Sequence, residues 1–383
     1  MAKRYIADSI DLTTSLRVGS GNTIGTASAA IGVTNTATTT GSFAAGQLNN
    51  ATGPESASFN YGTTATGAAA ASFGAFTVAQ GANSFAVGNN TLASGLSSFA
   101  AGGQTIASGE RSVALGFGCQ AANTTATASG YNSNANGFAS VSMGHTNVAT
   151  QQGSIALGEG STASGAAAFA AGFGVQATGD RSAALGFTTV AGGFASTAMG
   201  HNTNATNLYA TALGFNTTAS GQSSVAMNFQ NTASGQASLA FGFNNQAGAI
   251  DSVAGGRRGI VASENSFHFG ESNQTGAGST STEQMLFGRF LSPPRNGSNE
   301  AFESQFVVGR YNANTNQGHS AFTVGTGTGS GSKANSFVVQ YDGNVLMDQV
   351  RSLNFTSDSA AATGGVPLGG IYHNAGDLKI RIT

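Results

Sequence analysis

The residues able to carry chemistry are few and far apart. "GTGTGSGSK" at residues 325–333 has the glycine density of a phosphate-binding loop, where backbone N–H groups cradle phosphates beside a lysine. No Ser or Thr follows Lys333 as that motif requires, and no helix-like sequence comes after it, so the stretch reads as a turn. His145 and His201 each directly follow a glycine in a recurring phrase, but 56 residues separate them, which is about 19 Å along a stack of strands. They cannot share a metal within one chain, and three copies of either would meet only around an axis between chains. A surface or packing role is expected for both, and His268, His319 and His373 show no ligand spacing either.

Glycoside hydrolysis needs two carboxylates at one of two characteristic separations. Between residues 28 and 250 the acids are Glu55, Glu110, Glu159 and Asp180, each in a different repeat. Glu303 and Asp342 remain as candidates in the C-terminal part, and contacts between chains are another route to a pair. Glu110–Arg111 and Asp180–Arg181, in "GERS" and "GDRS", fall at one repeat position and read as solvated turn charges, which contribute little. Calcium-binding solenoids place carboxylates in every repeat, which this chain does not, and its threonines wander instead of forming a fixed ice-binding ladder. No catalytic, metal or cofactor site is expected, and the chain is read as non-enzymatic. Cys119 is the single cysteine, so no intrachain disulfide is available. Its place in the repeat is read as a variable turn position, without chemistry.

What positions these residues is a repeat. "SVALG" (112–116), "SIALG" (154–158), "SAALG" (182–186) and "SLAFG" (238–242) are one phrase. Its last residue recurs every 14 residues at Gly32, Gly46, Asn60, Gly74, Gly88, Gly102, Gly116, Gly130, Gly144, Gly158, Gly172, Gly186, Gly200, Gly214, Asn228, Gly242, Gly256 and Gly270. Coils stacked in register cannot gain or lose a residue, and that explains the strict interval. Asn tolerates positive φ best among non-glycine residues, so Asn60 and Asn228 mark a corner in the left-handed region. The alternation before the corner predicts a short strand. "ASG" or "ATG" about five residues after it supplies a second turn.

Two strands and two turns per coil make an all-β, parallel β-solenoid, roughly 80 Å long over seventeen steps. Along each strand, large apolar residues alternate with Ala, and neither face carries the charge of a solvated sheet. One face can fill the narrow coil. The other needs a partner, since an apolar stripe of this length exceeds what a monomer exposes, and side-by-side association of identical chains is expected.

Composition sets further bounds. Of 383 residues, 57 are Gly and only 8% are charged, but 40% are hydrophobic, including 25 Phe, and these are patterned rather than scattered. With a net charge of −2, and only Arg111 and Arg181 as cations between Arg17 and Arg257, no basic track for nucleic acid exists. No run of about 18 apolar residues and no apolar segment near Met1 occurs. Neither membrane insertion nor signal-directed export is expected, and synthesis in the cytosol is.

The coil S-φ-A-φ-G-x-x-x-x-A-x-G-x-x over residues 28–270 resembles the head repeat of trimeric autotransporter adhesins. The resemblance implies a left-handed parallel β-roll and a homotrimer. The ending "GGVPLGGIYHNAGDLKIRIT" (364–383), preceded by "NSFVVQYDGNVLM" (335–347), is similar to C-terminal segments of bacteriophage tail-fibre proteins. That similarity implies a virion appendage, with other virion proteins and a host cell-surface glycan or protein receptor as partners. A bacterial surface adhesin head is the alternative, and a polysaccharide-degrading tailspike the second.

Five segments follow: an N-terminal cap or attachment segment (1–27), the β-roll (28–270), an irregular connector (271–300) broken by two prolines, wider coils or a small β domain (301–345), and a C-terminal cap or trimerisation segment (346–383). In the last, "VLMDQVRSL" suggests a short helix, and "GGIYHN" and "LKIRIT" a hairpin with a three- or four-residue connection.

Overall fold

In a computed structural model of the chain, the described residues are 15–274, 283–292, 305–312, 320–329, 332–347, 353–368, 370–375 and 377–382. The chain forms two compact units, residues 1–202 and 203–383.

In the first unit each coil has one five-residue strand and one two-residue strand, such as Phe85–Asn89 and Leu92–Ala93. Both pair in parallel with the next coil, Phe85 with Phe99 and Leu92 with Ile106. The solenoid is thus a parallel one. Pairing begins at Leu16–Val18, which aligns with Ala29–Ile31, so part of the segment expected as a cap is itself a coil. Residues 1–14 lie outside the described ones.

Alanine fills the interior. Ala86 and Ala93, one from each strand of the same coil, are fully buried, and their counterparts repeat up the stack. The two strands are too close for anything larger, so Val, Leu and Phe point outward. The serine that opens most phrases also faces in, and in several coils its hydroxyl ties down the preceding turn: Ser112 Oγ donates to the Gly109 carbonyl at 2.7 Å, and Ser154 Oγ to that of Gln151 at 2.7 Å.

The corner glycine is the fourth residue of the long strand, not its end. Its φ runs from 98° to 144°, beyond the ordinary left-handed helical well, and the asparagines relax this to 91° at Asn60 and 76° at Asn228. The left-handed well itself is used two residues later, by Asn90 (φ 53°) and Gln104 (φ 55°), and in the second turn, by Ser97 (φ 55°). A second constraint acts at the corner: a Cβ on Gly88 would lie 1.9 Å from the Gly102 carbonyl oxygen. The second glycine, Gly95, lies outside positive φ and is needed only for such an approach, to Gly109.

Three residues past the corner lies a buried polar column. Asn147 Nδ2 donates to the carbonyls of Met143 and Gly158 at 2.6 and 2.7 Å, and its Oδ1 accepts the Ser161 N–H at 2.8 Å. Cys119 belongs to this column and is fully buried. It is therefore an interior residue and not one of a variable surface turn, because the chain has already turned inward at Gly118.

The second unit is built of coils of the same kind, and in it parallel pairing runs on past Gly270. Phe267–Glu271 pairs with Met285–Arg289, which pairs with Phe306–Arg310, and that with Ser320–Thr326. Gly288 and Gly309 take the corner, at φ 142° and 104°. The connector expected over 271–300 thus contains a coil strand, and Phe306–Arg310 and Ser320–Thr326 are strands of coils longer in sequence than 14 residues. Along these coils the interior position enlarges from Ala254 to His268, Leu286 and Val307. Asn335–Gln340 then packs antiparallel on Ser320–Thr326 and ends the parallel stack.

Of the stretch "VLMDQVRSL" expected to be helical, Val345–Leu346 is a strand, and residues 348–352 lie outside the described ones. A helix spans Asp358–Thr363, capped by Ser357, whose Oγ accepts the Ala360 N–H at 3.2 Å. Ile371–Asn374 and Asp377–Ile380 form the hairpin, with Asn374 opposite Asp377, so the connection is two residues, shorter than expected. Ala361, Val366 and Tyr372 bury together beneath it.

Candidate interaction surface

Three columns leave the outer face of the long strand. In Val113–Phe117 they are Val113, Leu115 and Phe117, with Ala114 inward. In the first unit Phe43, Phe59, Phe73, Phe85 and Phe99 occupy the first two columns, with successive ring centroids 5.2, 4.6, 5.4 and 5.4 Å apart.

The third column directly follows the corner. Phe117, Tyr131 and His145 stack at 5.4 and 5.1 Å, and Phe173, Phe187 and His201 at 5.0 and 4.9 Å, with planes within 13°. In the second unit Phe215, Phe229 and Phe243 stack likewise at 5.0 and 5.1 Å. One ring per strand step of about 4.8 Å leaves parallel stacking as the available geometry. Ring faces cover one another, and the edges meet solvent. At Arg257 the column changes to charge: its guanidinium lies 5.7 Å from the Phe243 centroid, and Glu271 bridges Arg257 at 3.6 Å and Arg289 at 2.8 Å.

The chemically capable residues are dispersed within this frame. His145 belongs to the ring column, with Nδ1 3.9 Å from Glu159 of the next coil. His201 stacks on Phe187. Glu110 and Arg111 pair with each other at 3.2 Å on an exposed turn. Asp180 accepts the Ala166 N–H at 2.9 Å, and Arg181 lies 5.3 Å from the Phe194 centroid. Asp342 holds a turn by accepting from Asn344 at 3.0 and 2.7 Å. Glu303 and His319 lie outside the described residues. "GTGTGSGSK" begins in the strand Ser320–Thr326 and runs toward its antiparallel partner Asn335–Gln340, with residues 330 and 331 outside the described ones. Among the described residues no three metal-binding side chains converge.

His268 is the exception to dispersal on the surface. It takes the interior place that Ala holds elsewhere, and burial pushes its pKa down to about 3 against the smaller opposing effect of the Asn273 backbone. Burial likewise raises the Cys119 thiol.

The ring column escapes a reading of local alternation, because a single residue after each glycine has no period of its own. The sequence carries the signal only when coils are aligned as columns, and then Phe117, Tyr131, His145, Phe173, Phe187, His201, Phe215, Phe229 and Phe243 fall in one line.

Comparison with known families places this geometry. The YadA head domain repeat (2 copies) matches at residues 93–118, 135–158, 149–174, 177–203, 191–217, 205–227 and 233–258. No curated protein matches the chain. The matched segments lie in regular coils of both units, and such repeats point to an adhesin-like fibre. These segments are YadA head repeats, of the trimeric autotransporter adhesin type, folded as a parallel β-solenoid.

Proposed function

We propose that the chain is a homotrimeric structural fibre of a phage virion, a tail fibre or similar appendage, that holds a host-surface-binding element away from the particle. The observation that carries the association is the outer face of the long strands. Alanine occupies the interior, so Phe, Leu, Met and Val stand outside, many more than a third exposed in the single chain. Apolar columns of this extent call for burial against other chains, and YadA-type repeats supply the precedent of three. Three chains in register give stiffness, and several fibres on one particle give avidity without strong single contacts. The fibre's role in this reading is mechanical and not catalytic.

The virion setting is favoured by the tail-fibre-like ending at residues 364–383. The YadA head repeats equally favour a second reading, the head of a bacterial surface adhesin. Sedimentation equilibrium of the full chain should give three chain masses, and a monomer at micromolar concentration overturns the trimer. Immunogold labelling of purified particles and of intact cells separates the two settings.

A further inference from the structure

In the second unit the short-strand ladder ends where the coils widen. Ile260 makes a last single bridge to Gln274, and beyond it the two-residue strand is no longer formed among the described residues. The face it would have covered opens as a cavity of about 200 Å³. Phe290 and Tyr311, stacked on each other at 4.7 Å and 11° from parallel, line it. Arg289 covers Phe290 from one side, its guanidinium carbon 5.0 Å from the ring centroid. At the equivalent place one coil beyond Tyr311 stands Gly327, which offers no side chain to cover the tyrosine ring.

Polar groups surround these rings. Ser272, Gln274, Ser292 and Lys333 line the cavity, and the side chains of all four are unbonded among the described residues. The backbone is fixed independently of them: Asn312 accepts the Ser292 N–H at 2.9 Å and donates to its carbonyl at 2.6 Å, and the Ala334 N–H reaches the Tyr311 carbonyl at 3.1 Å. Lys333 thus joins the ring pair in lining the cavity. Among the described residues no carboxylate lines the cavity, and Glu271, beside Ser272 in the chain, is engaged by Arg257 and Arg289.

We propose that this cavity binds one carboxylated sugar residue of a surface glycan. An aromatic face takes the C–H face of a pyranose, and hydroxyls and an amide, which both donate and accept, match sugar hydroxyls that do the same. The single ammonium takes the single carboxylate. The cavity is smaller than the roughly 300–1,000 Å³ of sites for drug-sized ligands, so it fits one ring with the rest of the glycan outside. The proposal rests on the fibre reading above for its biological role, since it names the receptor class that such a fibre would meet.

The test is saturation-transfer-difference NMR on the full chain with glucuronic acid, N-acetylneuraminic acid and glucose as probes. At least one acidic sugar should give signal, more strongly than glucose. Lys333→Gln, an exposed change, should weaken acid binding about tenfold, near 1.4 kcal/mol, and leave the melting temperature unchanged. Tyr311→Leu should reduce binding of every probe. Absence of signal from all three sugars, or acid binding unmoved by Lys333→Gln, overturns the site. Cell binding by the intact fibre is measured in parallel. Fibre that binds cells while no sugar fills the cavity defeats the site alone, and sugar binding without cell binding supports the site and defeats the fibre reading.

Discussion

The side-chain oxygen of Asn35 accepts the backbone N–H of Asn49, one coil on, at 3.0 Å, and Asn49 does the same for Thr63 at 3.0 Å. The amide of each asparagine meanwhile donates to two carbonyls, for Asn49 those of Ala45 and Asn60 at 2.8 and 2.9 Å. One buried side chain so satisfies three backbone groups that the sharp bend would otherwise orphan.

From this bonding we predict that Asn147→Ala lowers stability by about 2–3 kcal/mol, the cost of leaving buried backbone groups unpaired. Asn147→Ser should cost less, because Ser161 in the same column still reaches the Gly172 carbonyl at 3.0 Å. Thermal melting, with amide exchange at Ser161, checks both. An alanine variant that melts at the parent's temperature would show the side-chain amide to be dispensable.

Gly158→Val should be more damaging than positive φ alone implies. Strain at φ 102° costs about 1–3 kcal/mol, and the new Cβ would also lie 2.1 Å from the Gly172 carbonyl oxygen. Gly158→Asn, the natural substitute at Asn60 and Asn228, should be the milder change. An undiminished melting temperature for the valine variant would refute the corner geometry.

Acid should loosen the second unit around His268. Its pKa is 6.5 when unfolded and about 3 when folded, so below pH 6.5 the unfolded chain binds more protons and stability falls as pH falls. The contribution is fully present above pH 6.5 and declines by roughly 4 kcal/mol on reaching pH 3. His268→Leu, which copies Leu286 of the next coil, should flatten this slope in melts between pH 7 and pH 4. A slope identical to that of the parent assigns the acid sensitivity elsewhere.

Cys119 should resist thiol reagents in the folded chain at pH 8, since it is fully buried and its thiol pKa is raised. Denaturant should release one reactive thiol per chain. Rapid labelling of the native chain would place the residue outside the coil.

The coil length and strand alternation were legible in the sequence because stacking forbids a change of length and a strand must alternate faces. Asn60 and Asn228 marked positive φ at the corner for the same reason. The carboxylates of Glu55, Glu110, Glu159 and Asp180 could be assigned to separate coils by counting alone. Phe290, Tyr311 and Lys333 could not be gathered into a cavity that way, since the loops between them vary in length and carry no register.

Repetition therefore determined the solenoid by itself: each coil is a copy, and a pattern that must fit its own image leaves one period. Which face lies inside was decided only by the tertiary structure. Alternation defines two faces and ranks neither, and the close spacing of two strands then admits Ala114 and excludes Val113 and Leu115. The same spacing buries Cys119 and lines the rings after the corners into stacks, and where the coils lengthen the interior admits His268 and a cavity opens.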